Sequence, residues 1–112
     1  MKKITAIIRP EKVDEIRRAL EKVGYSGIMI SEIQGHGKQK GVVQQWRGEK
    51  YKVDLIHKSK LEVVVKDAEV PALTQTLIEK ARTGEIGDGK IFISTVDDVI
   101  RIRTGEKGEI AL

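Results

Sequence analysis

The chain has no cysteine, so a disulfide framework and thiolate metal ligation are both excluded. Its two histidines, His36 and His57, form neither an HxH nor an HExxH pattern, so no transition-metal motif is present. Four aromatic residues in 112 are few for a base-stacking platform, which weighs against nucleic acid as a partner. No apolar run approaches the roughly 20 residues that span a bilayer. The apolar start, Ile4 to Ile8, is shorter than the core of a secretory leader. Together these absences predict a cytoplasmic protein without direct membrane insertion.

What remains is a charged, glycine-bearing chain of one-domain length with a formal net charge of +4. Such a charge suits nucleic acid or small anions equally. No linker or repeat divides the sequence, so residues 1–112 read as a single domain.

Hydrophobic patterning supplies the element order. Ile4 to Ile8 reads as a strand. Pro10 opens a helix carrying Val13, Ile16, Leu20 and Val23 on one face, and Gly24 and Gly27 end it. Ile28 to Ile33 is a second strand, and Leu61 to Val65 a third. Val70, Leu73, Leu77 and Ala81 mark a second helix, with Pro71 tolerated in its first turn. Ile91 to Ile93 is a fourth strand, and Asp97 to Ile100 reads as a short helix. The βαββαβ order predicts an α+β, ferredoxin-like sandwich with a long loop between strands 2 and 3. Apolar residues point from both faces of its strands, yet two helices cover only one face. A homo-oligomer covering the second face follows as an expectation.

Three segments carry the candidate chemistry. In Thr83-Gly84-Glu85-Ile86-Gly87-Asp88-Gly89-Lys90, glycines allow backbone N–H groups to converge on an anion, and Lys90 adds a charge. Residues 84–90 match seven positions of a phosphate-binding loop. However, Ile91 stands where a hydroxyl would meet Mg²⁺, and a strand follows instead of a helix. Arg101-Ile102-Arg103, read as extended, would place two guanidinium groups on one side of the chain. The stretch from Gly35 to His57 shows no sustained period and gathers Lys38, Lys40, Arg47, Lys50, Lys52 and Lys58 with Trp46 and Tyr51. Aromatic and arginine side chains in such a loop are interface anchors, and they would also suit a single nucleic-acid strand. No nucleophile or general base stands in a recognisable setting, so the chain reads as a non-enzyme.

At Ile7-Ile8-Arg9-Pro10, residues 35–41, residues 83–93 and Arg101-Ile102-Arg103-Thr104-Gly105-Glu106 the sequence resembles the nitrogen-regulatory PII signalling family, over its whole length. The resemblance implies a homotrimer with ATP or ADP in clefts between subunits. It implies that Gly87, Asp88, Gly89, Lys90, Arg101 and Arg103 hold phosphates or ribose, and that Gly37, Lys38 and Val64 complete the cleft. It further implies Mg²⁺ and 2-oxoglutarate beside ATP, with Gln39 on the metal and the keto acid. Lys58 would pair a carboxylate, and Lys40 and Gly41 would give backbone contacts. Residues 82–90 would be the nucleotide loop and 102–112 the C-terminal tail. Residues 37–57 would be the family's T-loop, which docks on an ammonium transporter or a nitrogen-metabolism enzyme. Arg47 is its plugging side chain, with Trp46 and Tyr51 beside it. Departures are specific: Met29 stands near the adenine where many relatives have threonine, and His57 replaces a proline. Trp46-Arg47-Gly48-Glu49-Lys50-Tyr51 replaces a Tyr-Arg-Gly-small-Glu-Tyr modification motif.

Overall fold

A computed structural model describes residues 1–25, 27–35 and 56–112 in full, and 42–46 and 49–53 as backbone. The element order is β1 (Lys2–Ile8), α1 (Val13–Lys22), β2 (Met29–Gly35), β3 (Val42–Trp46), β4 (Glu49–Val53), β5 (Ile56–Val65), α2 (Val70–Ala81) and β6 (Lys90–Thr95). Short 3-10 turns at Pro10–Lys12 and Asp67–Glu69 lead into the helices, and a third lies at Gly108–Ala111. The main sheet is antiparallel with strand order β2-β5-β1-β6, the ferredoxin-like arrangement that the sequence predicts. No helix among the described residues is long and apolar enough to cross a membrane.

Alternation along the strands decides which side chains enter the core. Ile4, Ala6 and Ile8 of β1 face inward, level with Val63, Leu61 and Ser59 of β5. Ile16 and Leu20 of α1 and Leu73 and Leu77 of α2 close this layer from above, each essentially inaccessible to water. Burying each such side chain contributes roughly 1.5–3 kcal/mol, and both helices lie on this one face. α1 stops where Gly24 takes φ 102°, a conformation that costs a residue with a Cβ.

The opposite face carries Lys3, Thr5 and Ile7 of β1, Lys58, Lys60, Glu62 and Val64 of β5, Met29 and Ile33 of β2, and Phe92 of β6. No described element covers it, and Met29 and Phe92 are more than half exposed. Glu62 lies between Lys3 and Lys60, at 3.4 and 3.6 Å. Desolvation raises its carboxyl, but the hydrogen bonds and charges of the two lysines together outweigh that and hold it below the usual carboxylate range. This face therefore mixes apolar and charged side chains. β2 and β6 form the sheet's two edges.

Two sequence expectations change. The stretch expected to be aperiodic contains β3 and β4, which pair antiparallel from Val42 opposite Val53 to Trp46 opposite Glu49. Val42, Val43, Tyr51 and Val53 are strand formers whose signal was diluted by the lysines and glutamines among them. The helix expected at Asp97 to Ile100 is absent. There the Asp98 carboxylate accepts from the N–H groups of Val99 (2.8 Å) and Gly108 (3.1 Å), and Ile100 bridges to Lys107. The aspartate closes a loop instead of capping a helix, which is the local competition its short polar side chain permits.

Candidate functional site

β1 ends at Ile8, so Arg9 emerges beside the point where the chain enters β6, since Ile7 is paired with Lys90. α2 stops at Ala81 because Arg82 is extended, and residues 83–89 turn back to the sheet. Asp88 organises that turn. Its carboxylate accepts from the N–H groups of Thr83 and Gly84, both at 2.9 Å, from the Thr83 hydroxyl, and from Arg9 Nε at 3.2 Å. Arg9 Nη2 also donates to the Ile86 carbonyl at 2.9 Å. Gly89 is required twice over: its φ is +96°, and a Cβ there would stand 1.7 Å from the Ile7 carbonyl oxygen.

These contacts set the electrostatics. The Thr83 hydroxyl, the two backbone N–H groups and Arg9 hold the Asp88 carboxyl far below the usual carboxylate range, against an opposing desolvation effect. Lys58, arriving on β5, donates to the Gly87 carbonyl. Desolvation and then the neighbouring Arg9 lower the pKa of its ammonium, while Glu11 and Asp88 resist that shift. Gly87 takes φ 104°, and among the described residues no acceptor meets the N–H groups of Gly87 and Asp88. Lys90 is exposed at the start of β6. The turn thus offers backbone N–H groups and a lysine to an incoming anion. Its first two N–H groups are already taken by Asp88, so the convergence expected from the glycines is partly internal.

A cleft of about 280 Å³ adjoins the turn, between the end of α2 and strands β1 and β6. Its apolar walls come from β1, α2 and Ile91, and its polar edge is Arg82 with Asp88, Gly89 and Lys90 of the turn. The walls suit an apolar group, and the anion-offering turn lies at the cleft's edge.

The arginine pair departs from its expected form. Residues 102–104 are a turn, not an extended strand, because Gly105 N–H closes onto the Arg101 carbonyl at 2.7 Å with Gly105 at φ 73°. Arg101 is engaged: Nη1 meets Glu106 Oε1 at 2.7 Å and Nη2 donates to the Ile110 carbonyl at 2.9 Å. Arg103 is exposed. The chain enters β6 from the glycine turn and leaves it toward these arginines, with the Val96 N–H bonded to the Met1 carbonyl. No described contact joins the two segments.

On one chain, then, Gly87, Asp88, Gly89, Lys90 and Lys58 come together, and Arg101 and Arg103 do not join them. Val64 and Met29 lie on the uncovered sheet face. Val64 is level with Lys3, four strand residues from Lys60, the partner of Ile7, or about 13 Å along β5. Met29 sits on the edge strand opposite Glu62. Gly37, Lys38, Gln39, Lys40, Gly41 and Arg47 lie outside the described residues, as do the side chains of Trp46 and Tyr51. Sequence reasoning did not single out Arg9 and Thr83 as functional. Both lie in segments that carry the family resemblance, and the βαββαβ order sets the end of β1 beside the start of β6.

The family model described as Nitrogen regulatory protein P-II matches residues 1–106. The chain is 51% identical over 112 residues to Nitrogen regulatory protein P-II 2 of Methanothermobacter thermautotrophicus, covering all of this chain and 97% of that protein. It is 52% identical to Nitrogen regulatory protein P-II of Synechocystis and 53% identical to that of Nostoc punctiforme, each over the full length of both chains.

Proposed function

The chain belongs to the nitrogen regulatory protein P-II family, and from that premise we propose that it senses nitrogen and energy status by binding ATP or ADP and regulates target proteins by contact. The nucleotide lies in clefts between the copies of a homotrimer. Gly87, Asp88, Gly89 and Lys90 of one copy and Arg101 and Arg103 of a neighbouring copy hold its phosphates and ribose, with Gly37, Lys38, Val64 and Met29 completing the cleft. The observation carrying this reading is the division of the cations. A preformed turn presents N–H groups and Lys90 at one end of β6, while the arginines depart from the other. A second copy brought against the uncovered sheet face supplies what a single chain lacks.

Gln39 would hold Mg²⁺ through its amide oxygen beside bound ATP, and the ion would supply a hard Lewis acid for the oxygens of 2-oxoglutarate. Lys58 pairs with a keto-acid carboxylate, and Lys40 and Gly41 add backbone contacts. Residues 37–57 then change their preferred conformation by the difference in ligand affinity between two states of the loop. Through Trp46, Arg47 and Tyr51 that loop engages an ammonium transporter or a nitrogen-metabolism enzyme in the cytoplasm.

Complementation between variants tests the shared cleft. Lys90→Ala and Arg101→Ala, purified separately, should each lose most adenylate affinity in calorimetry, and co-expression of the two should restore a fraction of the sites. Wild-type protein that binds neither ATP nor ADP at millimolar concentration, or that is monomeric by light scattering, overturns the proposal.

A further inference from the structure

The resemblance puts Asp88 among the residues that hold phosphates or ribose, and its carboxylate is bonded to groups of its own chain. Every described polar contact of that carboxylate is internal: Arg9 from β1, the Thr83 hydroxyl, and the N–H groups of Thr83 and Gly84. Thr83 is the hinge of this arrangement because its hydroxyl works in both directions. It donates to Asp88 Oδ1, and its oxygen accepts from the Glu85 N–H at 3.1 Å. Valine has the same shape and can do neither; serine can do both. The carboxylate anchors the turn at residue 88, immediately between Gly87 and Gly89. Its position therefore decides where the N–H groups of residues 87 and 88 point.

We infer that Thr83 is a positioning residue for the anion site: it clasps the Asp88 carboxylate, and the clasp aims the Gly87 and Asp88 N–H groups outward. The side chain of Asp88 is then an internal counter-anion, and only its backbone N–H serves the ligand. Arg9 has the same task from the sheet side, where its bond to the Ile86 carbonyl fixes the tip of the turn. The clasp stands on the geometry alone, and its value for ligand binding rests on the adenylate reading given above.

Thr83→Val and Thr83→Ser separate the possibilities, with amide exchange and the Asp88 carboxyl carbon signal as readouts in nucleotide-free protein. In Thr83→Val the Gly84 N–H should exchange about tenfold faster, the loss expected for one hydrogen bond to a charged group. The Asp88 signal should titrate closer to the ordinary carboxylate range. Affinity for ADP should fall about tenfold in parallel, with oligomer mass unchanged, and Thr83→Ser should restore both properties. Unaltered Gly84 exchange and Asp88 titration in Thr83→Val would overturn the clasp, whatever the protein binds. Faster exchange with undiminished ADP affinity would leave the clasp standing and overturn its positioning role. Wild-type protein without adenylate affinity would remove the ligand reading and that role together, while the exchange data still decide whether the clasp exists.

Discussion

The segments at the two ends of β6 solve a similar problem with opposite wiring. Both are glycine-bearing turns that hold one charged side chain tightly and leave a cation exposed. In the 83–90 turn the captured group is a carboxylate, Asp88, and one of its partners is Arg9, 79 positions away in the chain. In the 98–108 segment the captured group is a guanidinium, Arg101, and its partner Glu106 is only five positions away. The first turn is therefore tied into the sheet, while the second is largely a local knot. Contacts fixed by the tertiary structure are harder to lose and also harder to foresee.

Substituting equivalent glycines should break the symmetry most visibly. Gly89 and Gly105 both have positive φ, but nothing lies within 4 Å of a Cβ added at Gly105, whereas at Gly89 it strikes the Ile7 carbonyl. Gly89→Ala should cost about 3 kcal/mol or more in urea unfolding, because strand β1 or the turn must move. Gly105→Ala should cost only about 1 kcal/mol, the backbone penalty alone. Equal losses would erase the distinction.

Next in size is Arg9→Met, which keeps the aliphatic stem and removes the tie between turn and sheet. A loss of about 1–2 kcal/mol in thermal or chemical unfolding is expected, from hydrogen bonds to a carboxylate and a carbonyl. The smallest effect belongs to Glu106→Gln. Its ion pair with Arg101 is about one-third exposed on both sides, so the change should stay below about 1 kcal/mol and shrink further in high salt. A larger loss for Glu106→Gln than for Arg9→Met would reverse the ranking of the two turns.

This contrast also explains what could be read from the sequence. α1 was legible because Ile16 and Leu20 recur at helical spacing on a single buried face. The inner face of β5 was legible from Leu61, Val63 and Val65, but its first half was not. There His57, Lys58 and Lys60 are polar, and it is pairing with β2 that holds them in a strand. The glycine turn was visible as a motif from its composition. Its internal wiring was not, because Arg9 lies in another element and Thr83 looks like any residue after a helix. The misread helix at Asp97 to Ile100 has the same origin: Asp98, an aspartate that could open a helix, was instead drawn to Gly108, ten positions on.

The sheet's margins carry a practical consequence. β6 is a border strand whose Phe92 and Ile93 are each more than half exposed, and no proline interrupts it. The other border, β2, has Glu32 near its middle. Isolated chains held at high concentration should therefore stick together first along β6, whose one charge, Lys90, stands at its end and not in its middle. A purification that concentrates the protein will meet this as turbidity, and Phe92→Lys should clear it.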